Sequence, residues 1–119
     1  MSVRTYAAEV AKADKPLLWL HGEINTPPIG SAARIEAGMA LRRLQRGDSL
    51  SMPLSRPMPS VGPRCHELRI RDRDSNWRIL YRIDPDAIVV VAVFAKATRA
   101  TPPHVLQTAK ARLQHYDAL

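Results

Sequence analysis

The chain is 119 residues long, with 18 Lys and Arg against 11 Asp and Glu and a formal charge of +7; that length suits one domain with its own core. A single cysteine, Cys65, excludes an internal disulfide and fits a reducing compartment, while the longest uncharged apolar run, Ala87 to Ala95, falls far short of the ~20 residues of a membrane-spanning helix. The first fourteen residues do not read as a secretory signal, so a cytoplasmic protein without membrane contact is expected, and the basic excess favours a polyanionic partner, nucleic acid or an acidic protein.

Residues 1–14 have weak periodicity and are expected to form an N-terminal arm, with one domain over 15–119. "KPLLWLHGEI" (15–24) predicts a first strand, with Leu18, Leu20 and Gly22 on one side and Leu17, Trp19 and His21 on the other. "NTPPIG" breaks the chain. In "SAARIEAGMALRRLQRG" (31–47), Ala33, Ala37, Ala40, Leu41 and Leu44 recur at helical spacing. A helix is predicted there, with Ser31 as N-cap and Gly47 as stop. Arg42, Arg43 and Arg46 then load its last turn, where cations suit the helix dipole. The four prolines of "SMPLSRPMPSVGP" (51–63) exclude a helix or a central strand, so an ordered surface loop is expected.

Three strands are predicted next, at about Arg64–Arg71, Asn76–Ile83 and Ala87–Lys96. The connections, around "RDS" and at "DPD" (84–86), are short enough to make antiparallel neighbours. The third strand is apolar on both parities, Ile88, Val90, Ala92 and Phe94 on one and Val89, Val91 and Val93 on the other. Such a strand is covered on both faces and therefore central. "TPPHVLQTAKARLQHY" (101–116) predicts a closing helix. Thr101 is its expected N-cap, Pro102 its first residue, and Val105, Leu106, Ala109, Leu113 and Tyr116 its apolar stripe.

Six of the twenty residues from Arg64 to Ile83 are arginine. Strand alternation puts His66, Leu68, Ile70, Trp77, Ile79, Tyr81 and Ile83 on one face, which can take the helices. The opposite face carries Cys65, Glu67, Arg69, Arg71, Asn76, Arg78, Leu80 and Arg82. Two readings fit these arginines. They form a surface for phosphates, which the guanidinium fork binds through paired hydrogen bonds, or they are the polar side of a half-exposed sheet, paired with Glu67, Asp72 and Asp74. The four histidines and Cys65 show no zinc-ligand spacing, and neither a P-loop nor a nucleophile elbow occurs. No cofactor and no metal are expected.

The motifs "HELRIRD", "NWRILYRID", "IVVVAVFAKATRATP" and "AKARLQHYD", in this order, resemble the RelE/HigB toxins of bacterial type II toxin–antitoxin systems, and among them the phage-derived HigB-like branch. The resemblance covers about residues 15 to 117. It implies an α+β, RelE-like fold, a twisted and mainly antiparallel sheet with helices packed on one face. It also implies a metal-independent mRNA endoribonuclease acting on the ribosome. The implied partners are mRNA, the ribosome and a cognate antitoxin of the helix-turn-helix, HigA-like kind, which would connect the protein to DNA only indirectly. Such an antitoxin is expected to engage the N-terminal half, including the helix at 31–46, and to leave the arginine face partly open.

Carried over by position, the resemblance makes Arg69, Arg78 and Lys96 catalytic: Arg78 would stabilise the transition-state phosphate, and Arg69 and Lys96 would orient it. By their place on the arginine face Arg71 and Arg82 would bind RNA, as would Arg99 beside the family motif. Glu67 would join them or hold Arg69 or Arg78 in place; a purely structural ion pair is the other reading. The proton acceptor for the ribose 2′-hydroxyl is sought in His104 or His66, since histidine titrates near neutrality. The pattern departs from the family at Ala97 and Ala100, where lysines are usual, with Arg99 between them. Those losses keep one alternative open, a non-catalytic RNA- or antitoxin-binding module of the same fold, and the phage association of the branch suggests another, a phage accessory protein.

Overall fold

A computed structural model describes residues 14–20, 29–73, 75–96 and 99–119. The elements run β1 (Leu17–Trp19), α1 (Ser31–Gln45), β2 (Ser55–Pro57), β3 (Cys65–Arg71), β4 (Asn76–Ile83), β5 (Ile88–Ala95) and α2 (Pro103–Asp117). They build one five-stranded mixed sheet in the order β1-β5-β4-β3-β2. β1 runs parallel to β5, and every other pair is antiparallel. The arm expected at 1–14 lies outside the described residues except for Asp14, which pairs with Arg42 at 2.5 Å. The outer half of the first predicted strand, with His21 and Gly22, also lies outside them.

The proline-rich segment is more ordered than a loop. Ser55, Arg56 and Pro57 pair with Leu68, Glu67 and His66 as an edge strand. An edge is the one place in a sheet where proline costs no ladder hydrogen bond.

The two helices do not share a face, as the resemblance implied, but cover opposite faces. Ala33, Ala37, Ala40, Leu41 and Leu44 of α1 close a core with Leu68, Ile70, Trp77, Ile79, Tyr81, Ile88 and Val90. Ala109 and Leu113 of α2 close a second core with Cys65, Leu80, Val89, Val91 and Ala92. The reason lies in the second face itself. Cys65, Leu80 and the apolar side of β5 make one end of it hydrophobic, and leaving that end bare would forfeit roughly 25 cal/mol for each Å² of apolar surface. Among the described residues no helix covers the other end, with Arg69, Arg71 and Arg78.

β5 changes phase along its length. Leu80 pairs with Ala92 but Tyr81 with Val90, so Val91 is one residue extra. A bulge of this kind turns the following residues over. Ala92 and Phe94 therefore join Val89 and Val91 on the α2 side instead of continuing the parity of Ile88 and Val90. Arg112 of α2 donates to the carbonyl of Val91 at 2.8 Å, which meets the polar group displaced by the bulge.

Helix ends depart from the simple reading by one residue. Gly30, not Ser31, is the N-cap of α1, and no side chain caps it. Instead the Gly30 N–H donates to Asp72 at 2.8 Å. A Cβ at Gly30 would stand 2.9 Å from that carboxylate, so any larger residue would push the Asp72 side chain aside. Gly47 ends the helix at φ +95°, a left-handed conformation that favours glycine. For α2 the cap is Pro102 rather than Thr101, and the Thr101 hydroxyl is used elsewhere.

Two carboxylates tie these ends down, Asp72 at the start of α1 and Asp117 at the end of α2. Backbone N–H groups of Gly30 and Arg73 hold Asp72 below the ordinary 3.8, and hydrogen bonds from Arg82 hold Asp117 below it. A carboxyl with a depressed folded-state pKa stabilises fully above its unfolded pKa and stops doing so as pH falls through the folded value. Stability is therefore expected to decline below about pH 4, and Asp117→Asn should flatten part of that decline. Urea titrations at pH 7, 4 and 2.5 on both proteins check this; identical pH profiles would contradict it.

Candidate functional site

At the helix-free end of the second face, β3 carries Glu67, whose side chain has no exposed surface. Ladder pairing places Arg56 beside it on β2 and Leu80 on β4. Glu67 Oε1 accepts from Arg56 Nε at 3.0 Å. Arg78 Nε stands 3.5 Å from the same oxygen, and Lys96 Nζ 4.0 Å from it. Glu67 Oε2 accepts from the Thr101 hydroxyl at 3.3 Å. Three cations thus converge on one carboxylate. Arg69 adds a fourth nearby, directly opposite Arg78 in the β3–β4 ladder. Like charges facing each other across strands are unfavourable, so the cluster holds more positive charge than its internal acid neutralises.

Arg78 is the least satisfied member. It is 9 % exposed, its Nη1 donates to the Trp77 carbonyl at 3.1 Å, and its Nε has no hydrogen-bond partner. A buried donor without an acceptor costs on the order of 1–3 kcal/mol. Burial pulls the Arg78 pKa down, Glu67 opposes the shift, and Arg69 and Arg56 reinforce it; a guanidinium still keeps its charge near neutral pH. Lys96 is also pulled down, by burial first, against Glu67 and with Arg56, Arg78 and Arg69. A lysine so placed exchanges its proton more readily than a solvated one.

The bulge at Val91 is what brings Lys96 here. Counted along an uninterrupted strand, Lys96 would share the parity of Ile88 and Val90 and lie on the α1 side. With the phase turned over it follows Ala92 and Phe94 instead, and its amine reaches Glu67.

Arg69, Arg78, Lys96 and Glu67, named from the sequence, therefore come together. Glu67 lies beneath the cations and has no surface to offer RNA, so it holds guanidinium groups in place. Arg71 is exposed at the end of β3, and with Arg69, Arg78 and Asn76 it lines a cleft of ≈ 490 Å³. Arg99 is exposed just before α2, and His104 is exposed on the first turn of that helix; neither contacts the cluster among the described residues. His66 lies on the other face, stacked on Tyr81 with centroids 5.3 Å apart.

Arg82, assigned to RNA from its parity, belongs to a different network. Its Nε and Nη2 donate to Asp84 at 2.7 and 2.9 Å. Its Nη1 and Nη2 donate to Asp117 at 2.9 and 2.7 Å, and the Tyr116 ring lies 5.9 Å from its Cζ. Both carboxylates raise its pKa. The end of α2 covers it, so Arg82 anchors that helix.

Two members of the cluster escaped sequence reading. Arg56 sits in a three-residue edge strand inside a proline-rich stretch, where no periodicity marks it. Thr101 carries the signature of a helix cap but turns its hydroxyl to Glu67. Among the described residues no group of three or more His, Cys, Asp or Glu side chains could hold a metal ion, and no helix is long and apolar enough to cross a membrane.

Residues 29–114 match the sequence family described as Phage derived protein Gp49-like (DUF891). That span holds both cores, the bulge and every residue of the Glu67 cluster. No curated protein matches the chain.

Proposed function

The chain belongs to the phage-derived Gp49-like family, and we propose that it is a toxin of the type II toxin–antitoxin kind, a metal-independent endoribonuclease that cuts mRNA on the ribosome. The observation that carries this reading is the surplus of fixed positive charge around Glu67, at the end of the sheet face that no helix covers among the described residues. In the proposed reaction the ribose 2′-oxygen attacks the adjacent phosphorus and the bond from phosphorus to the 5′-oxygen breaks. The products are a 2′,3′-cyclic phosphate and a free 5′-hydroxyl. Negative charge grows on the non-bridging oxygens, where pre-positioned donors are worth most.

Arg78 serves as the main donor through its guanidinium, which the ion pair of Nε with Glu67 holds in place. Arg69 and Lys96 orient the phosphate, while Arg56 and Thr101 fix the carboxylate that keeps the cations in place. Lys96, with its lowered proton affinity, hands a proton to the departing 5′-oxygen. The 2′-hydroxyl proton leaves to water. His104 and His66 are not assigned a role.

The proposed antitoxin is a helix-turn-helix protein that docks on α1. Ile35 and Met39 stand 65 % and 66 % exposed there, and with Leu54 and Arg43 they line an apolar groove of ≈ 310 Å³. Exposed apolar surface of this kind marks interaction sites more often than chance. The function is tested in cells. Expression of the protein alone is expected to arrest bacterial growth and fragment mRNA, and co-expression of the neighbouring reading frame is expected to relieve the arrest. Unimpaired growth with abundant, soluble, folded protein would overturn the reading.

A further inference from the structure

Beside the cation cluster, no described residue pairs with the last part of the β3 edge. The Arg69 N–H donates to the Leu54 carbonyl at 2.8 Å, which is the last contact on that side before β2 and its lead-in end. Arg71, two residues on, points its main chain the same way by strand alternation. The ≈ 490 Å³ cleft opens at this edge. Its volume lies within the ~300–1,000 Å³ of small-molecule sites.

The walls differ in chemistry. Arg69, Arg71 and Arg78 supply one side, Pro53 and Leu54 an apolar surface, and Asn76 and Glu36 the remaining polar groups. A nucleotide needs each of these: cations for its phosphate, an apolar platform for the face of its base, and polar groups for the base edge. Glu36 is the informative member. It lines this arginine-walled cleft, as well as two neighbouring hollows, yet it has no ion-pair or hydrogen-bond partner among the described residues. A carboxylate there works against simple phosphate storage. It suits a base edge that only donates, and two parallel N–H donors match its two oxygens.

We propose that this cleft is a base-selective subsite for single-stranded RNA, in which Arg69, Arg71 and Arg78 hold the phosphate, Pro53 and Leu54 support the base, and Glu36 reads a guanine through its N1–H and N2–H donors. The inference rests on the ribonuclease reading and supplies its substrate preference. Uracil, with a single N–H between two carbonyl oxygens, is disfavoured beside Glu36. A two-bond pair of this kind is worth ~1–3 kcal/mol of discrimination, which is about 5- to 150-fold.

The test is calorimetric titration of the full chain with guanosine 3′-monophosphate, uridine 3′-monophosphate and inorganic phosphate, repeated on Glu36→Ala and Arg71→Ala. Glu36 is exposed on α1, so its truncation leaves the fold intact. The guanosine nucleotide is expected to bind at least 5-fold tighter than the uridine nucleotide. Glu36→Ala should bring the two together, and Arg71→Ala should weaken both. Equal binding of the two nucleotides to the unaltered protein, or a preference that survives Glu36→Ala, would overturn the subsite. RNA cleavage without nucleotide discrimination would sink this inference alone. Guanine preference in a protein that cuts no RNA would support the subsite and sink the catalytic reading.

Discussion

Arg78→Ala should slow RNA cleavage by ~10²–10³, the usual cost of removing one donor to developing oxyanion charge. The loss should fall on kcat more than on KM, because Arg69, Arg71 and Lys96 remain to attract the phosphate in the ground state. Little stability should go with it. Arg78 faces Arg69 across the ladder and its Nε makes no hydrogen bond, so the substitution removes a repulsion together with the long 3.5 Å contact to Glu67 and some packing. Glu67 keeps its hydrogen bonds from Arg56 and Thr101. Arg78→Lys should recover only part of the rate, since an ammonium lacks the planar fork. Single-turnover cleavage and urea unfolding of the three proteins measure both quantities. Wild-type rates for Arg78→Ala would remove Arg78 from the reaction, and collapse of the fold would make it structural.

Arg82→Ala should do the opposite. It breaks two bidentate pairs at once and strands Asp84, which is 7 % exposed, beneath the end of α2. Removing one partner of a buried ion pair costs ~3–5 kcal/mol. The low end, about 3 kcal/mol, is expected because Arg64 remains 3.4 Å from Asp84. Asp117 adds little to the loss, being half exposed and able to return to water. The fraction that stays folded should cut RNA at nearly the original rate. Unfolding free energy and rate per folded molecule, measured together, separate the two arginines. Lost activity with unchanged stability would return Arg82 to the RNA surface.

The contrast between Arg78 and Arg82 marks the limit of what the sequence discloses. Both share one parity of β4, and strand alternation placed them correctly on one face. Nothing local could say that α2 would cross one end of that face, because the residue that ties Arg82 to α2 is Asp117, 35 positions away. The strands after Arg64 were legible to within a residue, since short turns bound each of them. Gly47 likewise marked the end of α1 through its left-handed φ. β5 was legible as a central strand for the same reason that its bulge was not. Apolar residues at every position leave no alternation in which a phase shift could show. The side on which Lys96 emerges therefore followed from the resemblance and the fold, and not from counting. Arg56 was hidden because a three-residue edge strand carries no periodicity, and Thr101 because its hydroxyl serves the Glu67 cluster where a cap was expected.

The cation cluster as a metal-free RNA-cleaving site is tested most directly by the ends of the fragments. Purified protein is incubated with mRNA and translating ribosomes in excess chelator, after magnesium-dependent assembly of the complexes and with polyamine holding the ribosome together. Cleavage should persist and yield 2′,3′-cyclic phosphate and 5′-hydroxyl ends, with Arg78→Ala at least 100-fold slower. Cleavage that stops in chelator and returns with one divalent ion, or fragments bearing 5′-phosphates, would contradict it.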